Sequence, residues 1–162
     1  MTDLGTLGGS GSWAYGINDA GQVVGESITA ADSYSFHAFI TGSNGAGMTD
    51  LGTLGGGYSY ASGINDAGRV SGWSTTAAGA THAFITGPNG VGMTDLGTLG
   101  GSDSRAYDIN DAGQVVGESY TAESYPQFHA FITGPAVAAV AAAHRRESAY
   151  AAPMTSLWAL SR

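Results

Sequence analysis

The nonapeptide Met-Thr-Asp-Leu-Gly-Thr-Leu-Gly-Gly begins at Met1, again at Met48 and again at Met93. This recurrence constrains the fold more than any other feature of the chain. A repeat period of roughly 20–50 residues marks arrays, solenoids and propellers, in which one supersecondary unit is copied and stacked. Here the copies start 47 and 45 residues apart. Two more blocks keep the same phase. Ile-Asn-Asp-Ala-Gly starts at Ile17, Ile64 and Ile109, and His-Ala-Phe-Ile-Thr-Gly starts at His37, His82 and His129. The copies are 1–47, 48–92 and 93–134. The pattern stops after Gly134, and an alanine-rich, non-repeat tail fills 135–162.

Each copy reads as four short strands. In the first copy, residues 12–18 are rich in aromatic and β-favouring types. The Asn18–Gly21 stretch then predicts a type I turn with a bulge. Asn18 caps the backbone ahead of it and Gly21 takes the positive φ. Residues 22–27 return as the partner strand, and 37–41 form a third. Asn44-Gly45 signals another hairpin, and 48–54 supply the fourth strand. Gly-Gly is then expected to release the chain into the next unit. No stretch of 1–134 has a helical apolar period. Apolar residues on both strand faces, as in Ala38-Phe39-Ile40, suit a sheet stacked between two neighbours. Small residues such as Ala14, Gly16 and Gly25 would let such sheets approach closely.

Four antiparallel strands in about 45 residues is the blade size of a β-propeller. The expected fold is therefore all-β: three four-stranded antiparallel blade-like repeats in a partial β-propeller arc. A closed threefold β-trefoil or β-prism is the alternative, since both also use three units of four strands. The tail, with its alanine-rich start, is expected to be helical or disordered.

Composition narrows the function. The chain has 27 glycines in 162 residues, no cysteine and no lysine. Disulfides and thiolate metal sites are excluded, and a P-loop is too. The formal charge of −8 makes nucleic acid and anionic membrane poor partners. No apolar run is long enough to span a bilayer. No secretory leader precedes the first repeat block.

Candidate chemistry is sparse. His37, His82 and His129 occupy equivalent places. With no cysteine or carboxylate cluster beside them in sequence, they read as structural residues that hydrogen-bond the backbone at a strand start, not as metal ligands. Asn18-Asp19, Asn65-Asp66 and Asn110-Asp111 lack the alternating oxygens of a calcium loop and read as turns. There is no nucleophile elbow. Glu26 and Glu118 are equivalent positions in different copies, so nothing local sets the carboxylate spacing that a glycosidase needs. No catalytic residue, metal ligand or cofactor site is identified.

The positions that differ between copies are more informative. Trp13, Tyr60 and Arg105 share one place; Tyr15, Ser62 and Tyr107 share another; Glu26, Trp73 and Glu118 share a third. Repeats that hold a frame and vary a surface bind with that surface. The candidate ligand-binding set is Trp13, Tyr15, Tyr34, Tyr60, Trp73, Arg105, Tyr107 and Tyr125.

The combined pattern of DLGTLGG, GINDAGQVVGES, HAFITG and MTDLGTLGG resembles the HAF-type extracellular repeat family of bacteria. That family is named for the His-Ala-Phe carried here at 37–39, 82–84 and 129–131. The resemblance covers 1–134 and implies a secreted or cell-surface protein with a variable number of repeats, which favours the propeller arc. Residues 135–162 resemble no part of the repeat, as in a gene fragment or a tail read in a shifted frame.

The expected function is a non-catalytic extracellular repeat module presenting a binding surface for glycan or protein. The alternatives are a glycan-acting propeller enzyme fragment and a structural surface or matrix repeat without ligand. Open blade edges at both ends predict self-association.

Overall fold

The computed structural model describes residues 1–30, 35–123 and 127–134. The tail 135–162, with Tyr34 and Tyr125, lies outside the described residues.

The described chain forms three separate antiparallel sheets, each a simple meander. The first contains β1 (Gly8–Ile17), β2 (Val23–Thr29), β3 (Phe36–Thr41) and β4 (Met48–Asp50) in that order. The second contains β5 (Gly55–Ile64), β6 (Val70–Thr76), β7 (Thr81–Thr86) and β8 (Met93–Gly97). The third contains β9 (Gly100–Ile109), β10 (Val115–Thr121) and β11 (Phe128–Ile132). No strand of one sheet pairs with another sheet among the described residues, so the array is open and blade-like. The closed threefold alternatives would pair residues 1–7 with 129–133, and that pairing is not formed.

The turns form as their residues dictate. Asn18 N–H donates to Gln22 O at 3.1 Å and Gly21 N–H to Asn18 O at 2.9 Å. The Asn18 side-chain oxygen accepts from the Gln22 amide at 3.0 Å. Between β3 and β4, Asn44 and Gly45 both take left-handed backbone, φ 58° and 74°. Only asparagine and glycine adopt that pair of angles cheaply.

Two expectations need correction. The Gly-Gly pair does not release the chain between units; Gly8-Gly9, Gly55-Gly56 and Gly100-Gly101 open strands β1, β5 and β9. Gly25 does not serve sheet stacking either. A Cβ there would overlap the Trp13 carbonyl of its own sheet. Gly63 does act between sheets, since a Cβ would lie 2.8 Å from Asp108 Oδ1 of the next sheet.

The sheets are also offset from the sequence copies. The fourth strand of the first sheet is the opening Met48-Thr49-Asp50 of the second copy. The second and third sequence copies thus begin with the last strand of the preceding sheet.

The core lies between sheets. Val24, Ala38 and Ile40 of the first sheet meet Ala61, Val70 and Phe84 of the second, with Leu51, Leu54, Ile64 and Met93 around them. Ala83 of the second sheet meets Ala106, Ile109 and Val115 of the third, flanked by Ile85, Leu96 and Phe131. Alanine at four of these places keeps the sheets close. Polar pins then fix their register. The buried Ser59 hydroxyl accepts from Ala38 N–H of the preceding sheet at 2.8 Å, and Ser104 does the same for Ala83 at 2.8 Å.

Candidate functional site

The recurring histidine is a side-chain tie. His37 Nδ1 lies 2.8 Å from Asp50 Oδ2, and His82 Nδ1 lies 2.8 Å from Asp95 Oδ2. The histidine is the second residue of a sheet's third strand and the aspartate lies on the fourth. The same aspartates use their other oxygen to accept from Gly52 and Gly97 N–H, both at 2.7 Å. The partner is a carboxylate rather than the backbone expected from sequence. Phe39 and Phe84, two residues on, are fully buried. The Thr41 and Thr86 hydroxyls close the motif by accepting from Val23 and Val70 N–H at 2.8 and 2.9 Å.

The Asn-Asp pairs are turns, and they also do something the sequence reading missed. Asn18 Nδ2 donates to Asn65 O at 3.0 Å, and Asn65 Nδ2 donates to Asn110 O at 3.0 Å. Asp19 N–H donates to Asp66 Oδ1 at 3.2 Å, and Asp66 N–H to Asp111 Oδ1 at 3.1 Å. The three turns thus form a ladder from sheet to sheet. The available signal was the recurrence of the aspartate beside the asparagine in all three turns.

The variable positions converge. Tyr15 and Tyr60 rings, on neighbouring sheets, have centroids 4.6 Å apart. Tyr60 stacks on its cross-strand partner Trp73 at 5.5 Å with planes 8° apart. The Arg105 guanidinium of the third sheet lies 5.9 Å from the Trp73 ring centroid, within cation–π range. Arg105 Nη1 is 3.9 Å from Glu118 Oε1. At the other end the Tyr15 hydroxyl donates to Glu26 Oε1 at 3.1 Å. One strip, Glu26–Tyr15–Tyr60–Trp73–Arg105–Glu118, therefore crosses all three sheets.

Trp13 lies directly across the ladder from Glu26 at the strip's near end, its ring 5.9 Å from Phe36. Tyr107 flanks the strip's far end beside Glu118. Tyr34 and Tyr125 are outside the described residues. Glu26 and Glu118 end the strip on the first and third sheets, with Trp73 at the equivalent place between them. Neither glutamate was among the candidate binding residues, although both vary with the aromatics.

The strip is electrostatically distinctive. Partial desolvation first, then the Glu26 carboxylate, pushes the Tyr15 phenol well above the ordinary range. Desolvation raises Tyr60 as well, with Glu26 adding to it. Desolvation and then Glu118 raise Tyr107. Glu26 is itself raised by burial, against the pull of its hydrogen bond from Tyr15. Burial thus holds all three phenols above the ordinary range, and Tyr15 donates to the carboxylate at its end of the strip.

Among the described residues no group of three metal-ligating side chains occurs, and no helix is long and apolar enough to cross a membrane. No family model, curated protein or solved structure matches the chain.

Proposed function

We propose that this chain is a non-catalytic repeat module of the bacterial cell surface or exterior, and that it binds glycan through the strip of variable residues. The observation that carries this reading is the continuity of the strip. It is assembled from places where the copies differ, on a frame where they agree. Tyr15, Arg105 and Tyr107 are exposed on it, while Tyr60 and Trp73 order its middle. Aromatic rings offer apolar area to the C–H faces of sugars, and phenols, guanidinium and carboxylates offer directional partners for their hydroxyls. The extracellular setting rests on the resemblance to HAF-type repeats.

The test is a glycan array followed by titration calorimetry on any sugar retained. Selective retention is expected, with loss on combined Tyr15→Ala and Tyr107→Ala substitution. Val91→Ala, an exposed turn residue away from the strip, should bind as the parent does. Retention of no glycan, or equal loss in both variants, would defeat the proposal.

A further inference from the structure

Equivalent residues at the two ends of the array differ sharply in burial. On the far side of the third sheet Ile132 is 64% and Val116 43% exposed, while their counterparts Ile40 and Val24 are 3% and 0% exposed. On the near side of the first sheet Ile17 is 69% exposed, whereas its counterpart Ile109 is 6% exposed. Ala14 and Ala130 are exposed too, though Ala61, Ala106, Ala38 and Ala83 are fully buried. The near side of the first sheet is thus the same surface that the second and third sheets bury against a preceding neighbour. The far side of the third sheet is the surface that the first and second bury against a following one.

The strand edges match in the same way. β3 and β7 each pair with a Met-Thr-Asp strand, in the register Thr41↔Met48, Ile40↔Thr49 and Phe39↔Asp50. β11 has the same sequence as β3 from His to Ile, yet no described strand lies along its outer edge. Residues 1–3 carry Met-Thr-Asp and pair with no strand among the described residues. Asp3 accepts from Gly5 N–H at 2.9 Å, as Asp50 does from Gly52, but no described histidine is at its other oxygen. Nor is a described carboxylate at His129.

We infer that this chain associates head to tail with a second copy of itself, the near side of one array stacking on the far side of another. Met1–Asp3 of the second copy lies along β11 of the first, with Asp3 against His129 and Thr2 opposite Ile132. Ser12 of the second copy accepts from Ala130 N–H of the first, as Ser59 accepts from Ala38. Asn110 donates to the second copy's Asn18 carbonyl, continuing the turn ladder. Such an interface joins two different surfaces, so it propagates into a ring or a filament according to the rotation per step.

The test uses the 162-residue chain in sedimentation velocity and light scattering, with two variants. Ile17→Arg blocks the near side and Ile132→Arg the far side; both residues are exposed in the single chain, so its fold tolerates the change. The parent is expected to show at least twice the monomer mass. Each variant alone should be monomeric with an unchanged circular dichroism spectrum. Mixed in equal amounts, the two should form a 1:1 dimer through the one intact pair of surfaces. A monomeric parent at all concentrations, self-association retained by either variant alone, or a mixture that stays monomeric would each overturn the inference.

Discussion

Replacing Asn65 with alanine tests whether the turn ladder binds the sheets together or merely shapes hairpins. Asn65 is buried, and its side chain makes three hydrogen bonds. Its oxygen accepts from Ala67 and Arg69 N–H at 3.1 and 3.0 Å, and its amide reaches Asn110 O at 3.0 Å in the next sheet. At about 0.5–1.5 kcal/mol for each net hydrogen bond, the substitution should cost about 3 kcal/mol. Asn110 holds the same place in the third sheet but is exposed, and its side-chain bonds to described residues stay within its own turn, to Gln114 N and Oε1. Its alanine variant should lose about 1 kcal/mol. For a chain of this size each kcal/mol moves the melting midpoint by about 2–4 °C. Calorimetry should therefore show a fall of about 6–12 °C for Asn65→Ala and about 2–4 °C for Asn110→Ala. Both turns share the Asn-Asp-Ala-Gly frame, so the difference reports the burial of Asn65 together with its bond to the next sheet. Equal shifts would refute the ladder as a source of stability.

Three further outcomes follow from the same geometry. Phe84→Ala should destabilise by about 3–5 kcal/mol, as usual for a fully buried Phe, while His82→Gln, which alters a partly exposed side-chain hydrogen bond, should cost at most about 1 kcal/mol; denaturant titration that ranks them the other way would remove Phe84 from the core. Zinc titrated into the chain should not bind stoichiometrically at sub-micromolar affinity, because no group of three metal-ligating side chains comes together among the described residues; such binding, abolished by His82→Gln, would show a ligand role instead. Glu26 has a raised folded-state pKa, so its contribution to stability is present below the ordinary glutamate range and is lost as pH rises through the raised value. Glu26→Gln should consequently gain on the parent as pH rises from acid to neutral, and denaturation at the two ends of that range would refute this if the gain ran the other way.

The hairpins were legible because their signals are local. Asn18 with Gly21, and Asn44 with Gly45, fix turn geometry within four residues, and the β-favouring residues that flank them give the strands. The start of β1 was not legible, because glycine is depleted in strands. Gly9 stands there because a Cβ would overlap Ile28 across the ladder. The histidine's partner was half legible. His37 and Asp50 are 13 positions apart, as are His82 and Asp95, but a spacing does not show that a hairpin folds one onto the other. The strip was the hardest to assemble. Comparing copies column by column marks Tyr15 and Tyr60 as variable at different places in the unit. Their contact is staggered, Tyr15 of one sheet meeting the residue equivalent to Trp13 in the next. Only the stacking offset reveals that.

That offset also explains why the joints are polar at all. Between small side chains such as Ala38, Ala61, Ala83 and Ala106 there is little shape to prevent one sheet sliding on the next. Buried hydroxyls supply the missing register, because a buried donor left without its acceptor costs about 1–3 kcal/mol. Ser59 and Ser104 tie the third strand of one sheet to the first strand of the following sheet. Ser74 accepts from Leu54 N–H at 2.8 Å and Ser119 from Leu99 N–H at 2.9 Å, fixing the chain where it passes between sheets. Asp103 adds a second bond at the later joint, accepting from Thr81 N–H at 2.9 Å. Its carboxyl is held below the ordinary range, chiefly by the hydrogen bond from Ser102 and further by Thr81. The Ser59, Ser104 and Asp103 bonds across the joints exist only when two sheets are folded and aligned, so much of the free energy of the array resides in its joints, as in other nearest-neighbour arrays. The middle sheet belongs to both joints and each end sheet to one. A lesion in the second unit should thus cost more than the same lesion in the first or third, whatever the residue.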